Sequence, residues 1–198
     1  MNEELKQLTR RILNISYRHK LSHLGSCLTA LPIIWEIYEK KAFSEKFVLS
    51  CGHAGLALYV VLEKYYTKIV IPSGEANNNF RYDAERMVEL QGIHPDRFNN
   101  YEAIIDCSTG SLGHGLPIAL GMALADRSRS TYCLISDGEC AEGSIWEALT
   151  IKRKYKVDNL KVYVNINGFS AYDPVDRKEL SRKLKLFCPE INLRQTEA

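Results

Sequence analysis

The 198-residue chain is first defined by what it lacks. Its opening Met-Asn-Glu-Glu-Leu-Lys has no apolar core of a secretory signal, and no apolar run is long enough to span a bilayer. A cytoplasmic protein without membrane contact is the expectation. Cys27, Cys51, Cys107, Cys133, Cys140 and Cys188 form no Cys-x-x-Cys and no zinc spacing with the five histidines, which leaves reduced thiols as the simple account. No dense basic stripe accompanies the net charge of +2, so nucleic acid is not an expected partner. The strongest run, Lys152-Arg-Lys-Tyr-Lys156, falls at a predicted helix C-terminus, where cations complement the dipole and face water. No repeat or low-complexity linker divides the chain. At 45% hydrophobic and 25% charged it has the composition of a globular protein with a sizeable core. It is too short for a complete two- or three-domain enzyme, and one domain over residues 1–198 is expected.

The most informative stretch runs from Tyr132 to Phe169 and reads as strand, helix, strand. Tyr132 to Ile135 is short and apolar and ends at the turn dipeptide Asp137-Gly138. Ser144-Ile-Trp-Glu147 has the spacing of a capping box and predicts a helix running to about Tyr155. Leu160 to Ile166 is the second strand, closed by Asn167-Gly168. Such a unit crosses over right-handed, so the strands are parallel and both carboxyl ends share one sheet edge. Ligands of open α/β sheets bind at that edge. Asp137 and Asn167 then stand side by side as hard oxygen donors, suited to Mg²⁺, which draws its remaining ligands from water and phosphate. A metal-bridged diphosphate fits the pair, although Asp-Gly and Asn-Gly taken alone are ordinary turns.

Elsewhere, Leu5, Leu8, Ile12 and Ile15 lie at helical spacing on a helix ending near Arg18. A loop from His19 to Ala30 precedes a second helix with Pro32 in its early turns. Phe47 to Ser50 is a strand, Gly52 permits a tight turn, and His53 opens a helix to about Tyr66. Residues 71–80 read as an exposed loop and Asp83 to Gln91 as a short helix, followed by Gly92-Ile-His94-Pro95. Ser108-Thr-Gly110-Ser-Leu112-Gly113-His114-Gly115 opens a helix carrying Ile118, Leu120, Met122 and Leu124. Its glycines let backbone amides approach an anion, and the helix dipole favours negative charge there. The glycine order is the reverse of the dinucleotide fingerprint and no acidic residue awaits a ribose, which excludes a nicotinamide-binding reading. Asp173-Pro174 starts a last helix with Leu180, Leu184 and Phe187, and the chain ends polar.

These residues carry a family resemblance. Asp137-Gly138, about thirty residues and Asn167 resemble the thiamine-diphosphate motif Gly-Asp-Gly…Asn, with Ser136 in place of the first Gly. Asp137-Gly-x-x-x-Glu142-Gly followed by Glu-Ala resembles transketolases in particular. His23-Leu-Gly25-Ser is similar to their Gly-His-Pro-Gly-Gly-Ser loop, with Leu24 for Pro and Ser22 for the first Gly. Leu49-Ser-Cys-Gly-His53, Gly92-Ile-His94-Pro95 and Thr109-Gly110-Ser-Leu112-Gly113-His114-Gly115 resemble three more of their loops, in consistent order between about Arg10 and Asp176.

The resemblance implies a three-layer α/β thiamine-diphosphate-binding fold with a mainly parallel sheet, helices on both faces and a shortened C-terminus. It implies that Asp137, Asn167 and the Phe169 carbonyl hold Mg²⁺ on the diphosphate. His53, Gly110, Leu112, Gly113, His114 and Gly138 would line the cofactor, with Glu142 beside them at a subunit interface. His23 and His94 would handle hydroxyl protons of the substrate. The implied reaction moves a two-carbon ketol unit between sugar or sugar-phosphate substrates. The family's aminopyrimidine-binding domain, with its activating Glu, has no counterpart in the sequence, so a complementary chain in an α2β2 assembly is expected. Two alternatives stay open: half of a thiamine-diphosphate-dependent 2-oxo acid decarboxylase or synthase, and a degenerate domain that binds without turnover.

Overall fold

The structure is a computed structural model and describes residues 3–68, 82–97, 105–170 and 173–197. The loop expected at 71–80 lies outside the described residues. Four parallel strands, β1 (Lys46–Leu49), β2 (Thr131–Ser136), β3 (Leu160–Ile166) and β4 (Asn192–Gln195), pair in the order β1-β2-β3-β4. The helices are α1 (Glu3–His19), α2 (Leu24–Lys40), α3 (Gly55–Lys68), α4 (Ala84–Gln91), α5 (Gly115–Ala125), α6 (Gly143–Lys154) and α7 (Arg177–Phe187).

Alternate strand residues point to opposite sheet faces, and both faces are apolar, as a parallel sheet covered on both sides requires. Phe47, Leu49, Leu134 and Tyr163 join a core with α1 to α4. Val48, Cys133, Ile135, Val162 and Val164 join a second core with α5 to α7. The result is the expected three layers. No helix among the described residues is long and apolar enough to cross a membrane. All six cysteines are unbridged.

Several local expectations are corrected. Helix α2 starts at Leu24 with His23 as its N-cap residue, so Gly25 lies in the first turn and Pro32 is in the helix interior. The missing Pro N–H costs a helical bond, and burial of Ala30, Leu31, Ile33, Ile34 and Ile37 offsets it. The capping box at Ser144 does not form. Glu142 is the N-cap of α6, and the Ser144 hydroxyl instead donates to the Gly113 carbonyl at 2.8 Å. Asp176, not Asp173-Pro174, caps α7, its carboxylate accepting the amides of Lys178 and Glu179. Lys152 is not on a solvated face: it is 2% exposed and paired with Glu190. The polar segment after α7 forms β4, so α7 and β4 complete a strand–helix–strand unit beyond β3. Arg194 of β4 grips Glu36 of α2 through two hydrogen bonds, at 2.9 and 2.6 Å.

Candidate active site

The carboxyl ends of β2 and β3 bring Asp137 and Asn167 together. The Asp137 amide donates to the Asn165 carbonyl at 3.0 Å and continues the ladder past the last strand residue. Its Oδ1 accepts the Gly138 amide at 3.0 Å and its Oδ2 the Gly168 amide at 2.6 Å. Gly168 sits at φ 87°, in the left-handed region that favours glycine, and a Cβ there would stand 2.6 Å from Arg177 Nε. The Arg177 guanidinium donates to the Asn167 carbonyl and holds this turn from outside. Asn167 is buried, and the Phe169 ring points outward at 64% exposure.

Asp137 is only 2% exposed, and burial pushes its carboxyl up despite the amides that pull it back. Among the described residues no salt bridge reaches it. A buried carboxylate whose partners are backbone amides is a site that a divalent cation would complete. No cluster of three or more acidic, His or Cys ligands exists among the described residues. A metal here would therefore use one carboxylate, the Asn167 amide oxygen and a backbone carbonyl, with the rest from its ligand. That donor set fits Mg²⁺ better than zinc.

Next to this corner, the Gly-rich loop lies tightly against the turn after β1. A Cβ on Gly52 would stand 2.8 Å from the Gly110 nitrogen, and one on Gly115 would stand 2.5 Å from Ser50 Cα. The Thr109 hydroxyl donates to the Leu49 carbonyl at 2.6 Å. Backbone thus meets backbone where a side chain would separate the loops.

The histidines form a second group. His23 takes the left-handed conformation, φ 61° and ψ 26°, a strained state that for a non-glycine residue often marks a functional position. Its ring centroid is 5.2 Å from that of His53. Burial, and then His23 and His94, push His53 down to about 4. The His94 ring packs on the Gly-rich loop, its Cδ2 3.1 Å from where a Gly110 Cβ would be, and Tyr59 OH donates to the His94 carbonyl at 2.8 Å. Three histidines and Gly110 therefore converge. Leu112 is half-buried in the same loop, while His114, at the start of α5, and Glu142 are exposed.

One residue at this site escapes a reading of the sequence: Glu139, fully buried in the turn after Asp137. A Glu after Asp-Gly gives the pattern of an exposed turn, and only the tertiary fold buries it.

Residues 23–179 match the family described as transketolase, thiamine diphosphate binding domain. One of the subunits of the apulose-4-phosphate transketolase of Phocaeicola vulgatus is 32% identical over 173 residues, covering 80% of this chain and 57% of that protein. Transketolase of Homo sapiens is 34% identical over 170 residues, covering 77% of this chain and 25% of that protein. The chain thus spans between a quarter and somewhat over half of these relatives. Among solved structures, transketolase from Campylobacter jejuni superposes with a TM-score of 0.69 at 20% identity, over 98% of this chain and 38% of that one. The chain belongs to the transketolase family, and what it matches is that family's thiamine diphosphate binding domain.

Proposed function

We propose that the chain is one domain and the cofactor-binding subunit of a split transketolase-like enzyme, acting in the cytoplasm with a complementary chain, two copies of each. The observation that carries this reading is the buried Asp137 beside Asn167 at the carboxyl ends of two adjacent parallel strands. Asp137, Asn167 and the Phe169 carbonyl would hold Mg²⁺, and the loop from Gly110 to His114, together with Gly138 and His53, would line the diphosphate and thiazolium ring of thiamine diphosphate. Bound there, the cofactor supplies the nucleophilic carbon that accepts a two-carbon ketol unit.

The chain's own residues then orient and move protons. His53 stays neutral near pH 7, so it offers an imidazole lone pair and no positive charge. His23 and His94 each lie near His53, and in this reading they would exchange protons with substrate hydroxyls. Three imidazoles suit a hydroxylated, sugar-derived donor better than a 2-oxo acid. Glu142 is assigned to the subunit boundary, in line with its exposure. The split arrangement draws support from the Phocaeicola vulgatus relative, which is itself named as one subunit of its enzyme and of which this chain covers 57%.

The test is calorimetric titration of thiamine diphosphate with Mg²⁺ into the chain, alone and co-expressed with the candidate partner, for wild type and Asp137→Ala. Wild type should bind in a Mg²⁺-dependent manner, and Asp137→Ala should lose at least about 100-fold in affinity, or ~2.7 kcal/mol. Unchanged Mg²⁺-dependent affinity in the variant would show that the metal site lies elsewhere. Absence of binding in both preparations of wild type would leave a degenerate, non-catalytic domain.

A further inference from the structure

Directly beneath the candidate site lies a carboxylate with no exposed surface and no cationic partner among the described residues. Glu139 is 0% exposed. Its Oε1 accepts the Ser50 hydroxyl at 2.6 Å and the Gly113 amide at 3.0 Å. Its Oε2 accepts the Ser136 amide at 3.0 Å, and its own amide donates to the Ser136 hydroxyl at 3.3 Å. The three donors come from three separate segments: the turn after β1, the Gly-rich loop before α5 and the last residue of β2.

Each contact is itself anchored. The Ser50 amide donates to the Leu134 carbonyl at 2.9 Å, which fixes the turn on β2. The Gly113 carbonyl accepts the Ser144 hydroxyl, so both polar groups of Gly113 are engaged and its amide is not free for an anion. Gly113 is at φ 78°, with Glu142 Cβ 2.7 Å from where its own Cβ would be, so no other residue fits. Ser136 stands where the motif has Gly, and its hydroxyl closes the turn on the Glu139 amide.

An ionised carboxylate accepts three hydrogen bonds without donating any; an amide cannot. Burying it carries a desolvation cost, and an apolar side chain of similar size would fill the space without that cost. What only the carboxylate gives is a fixed meeting point for three segments. We infer that Glu139 is a positioning residue: it clamps the Gly110–Gly115 loop against the ends of β1 and β2, in the geometry the diphosphate site needs, and touches no cofactor atom. The inference rests on the diphosphate site proposed above.

Glu139→Gln keeps the volume and sets an NH₂ against one of the donors. Ser50→Ala removes one contact and leaves the carboxylate. Both variants and wild type are compared in whichever preparation of the full chain binds, alone or with its partner. The affinity probes are thiamine diphosphate with Mg²⁺ and inorganic diphosphate with Mg²⁺, and hydrogen exchange is followed peptide by peptide without ligand. Glu139→Gln should weaken both probes at least tenfold, about 1.4 kcal/mol. It should also speed exchange at residues 110–115 and leave α1 to α3 at wild-type rates. Ser50→Ala should move both readouts the same way, by less. Wild-type affinity in either variant overturns the proposal, as does acceleration spread equally over α1 to α3, which would mark Glu139 as a general stabiliser. If wild type binds neither probe, the site reading itself falls and this inference with it.

Discussion

At the scale of single residues, His53 makes the environment of the site measurable. It is partly buried, with His23 at 5.2 Å and His94 as a third imidazole nearby, and burial followed by these two neighbours pushes it down to about 4. In the unfolded chain the same ring titrates near its ordinary value of about 6.5. Between pH ~6.5 and ~4 the unfolded state thus binds a proton that the native state refuses, so stability falls as the pH is lowered through that window. Asp137 and Glu139, pushed up by burial, act in the opposite sense at the acid end of the range. The informative quantity is therefore the difference between wild type and His53→Gln. Urea unfolding at pH 4 to 7 should show a shallower loss of stability on acidification in His53→Gln, and identical slopes would remove His53 from the acid response. The three histidines are legible in the sequence because each sits in a short motif within two residues of a Gly or Pro. Glu139 is not, since nothing local distinguishes a buried turn glutamate from an exposed one.

At the scale of elements, legibility follows the source of each element's stability. β3 reads from Leu160 to Ile166 as it stands, because Leu160, Val162, Tyr163, Val164 and Ile166 make a short, mostly apolar and β-branched run closed by Asn167-Gly168, which is a local signal. β4 does not, because Asn-Leu-Arg-Gln carries no such run and is held from outside, by the Glu36–Arg194 pair and by Thr196 donating to Asn165 Oδ1 at 2.6 Å. α6 is legible as a helix, yet its basic tail misleads, because Lys152 turns inward to Glu190. That pair yields a prediction about how the helix is fastened. Glu190→Ala leaves an ammonium that is 2% exposed without its partner. Because Glu190 itself is 58% exposed, water can reach part of the gap, and the cost falls at the lower end for a broken buried pair, about 3 kcal/mol. Lys152→Met removes the charge together with the need for a partner and should be within ~1 kcal/mol of wild type, or more stable. Equal losses in the two variants, from urea midpoints at constant m, would contradict this asymmetry.

For the whole molecule, the three layers follow from parallel strands that are apolar on both faces and helices that cover each face, while the way the assembly is completed lies beyond local pattern. The chain matches the diphosphate-binding side of its family, and at the carboxyl edge of the sheet the Phe169 ring stands 64% exposed beside the candidate metal corner. On the proposed reading, this chain holds the metal, the diphosphate and the thiazolium ring, and the aminopyrimidine of thiamine diphosphate is covered by the complementary chain. Cofactor and partner then bind to one shared site, and linkage makes the effect reciprocal: whatever factor the partner adds to cofactor affinity, the cofactor must add to partner affinity. A factor of 5–150, about 1–3 kcal/mol, is the ordinary range for such coupling. The experiment closes a thermodynamic square. Calorimetry gives the affinity for Mg²⁺ and thiamine diphosphate with and without the partner, and sedimentation gives the dissociation constant of the two chains with and without the cofactor. The two ratios should agree and exceed fivefold, in a complex that sediments as two copies of each chain. A ratio of one on both sides would mean that the chain holds its cofactor unaided, and the shared-site proposal would fail.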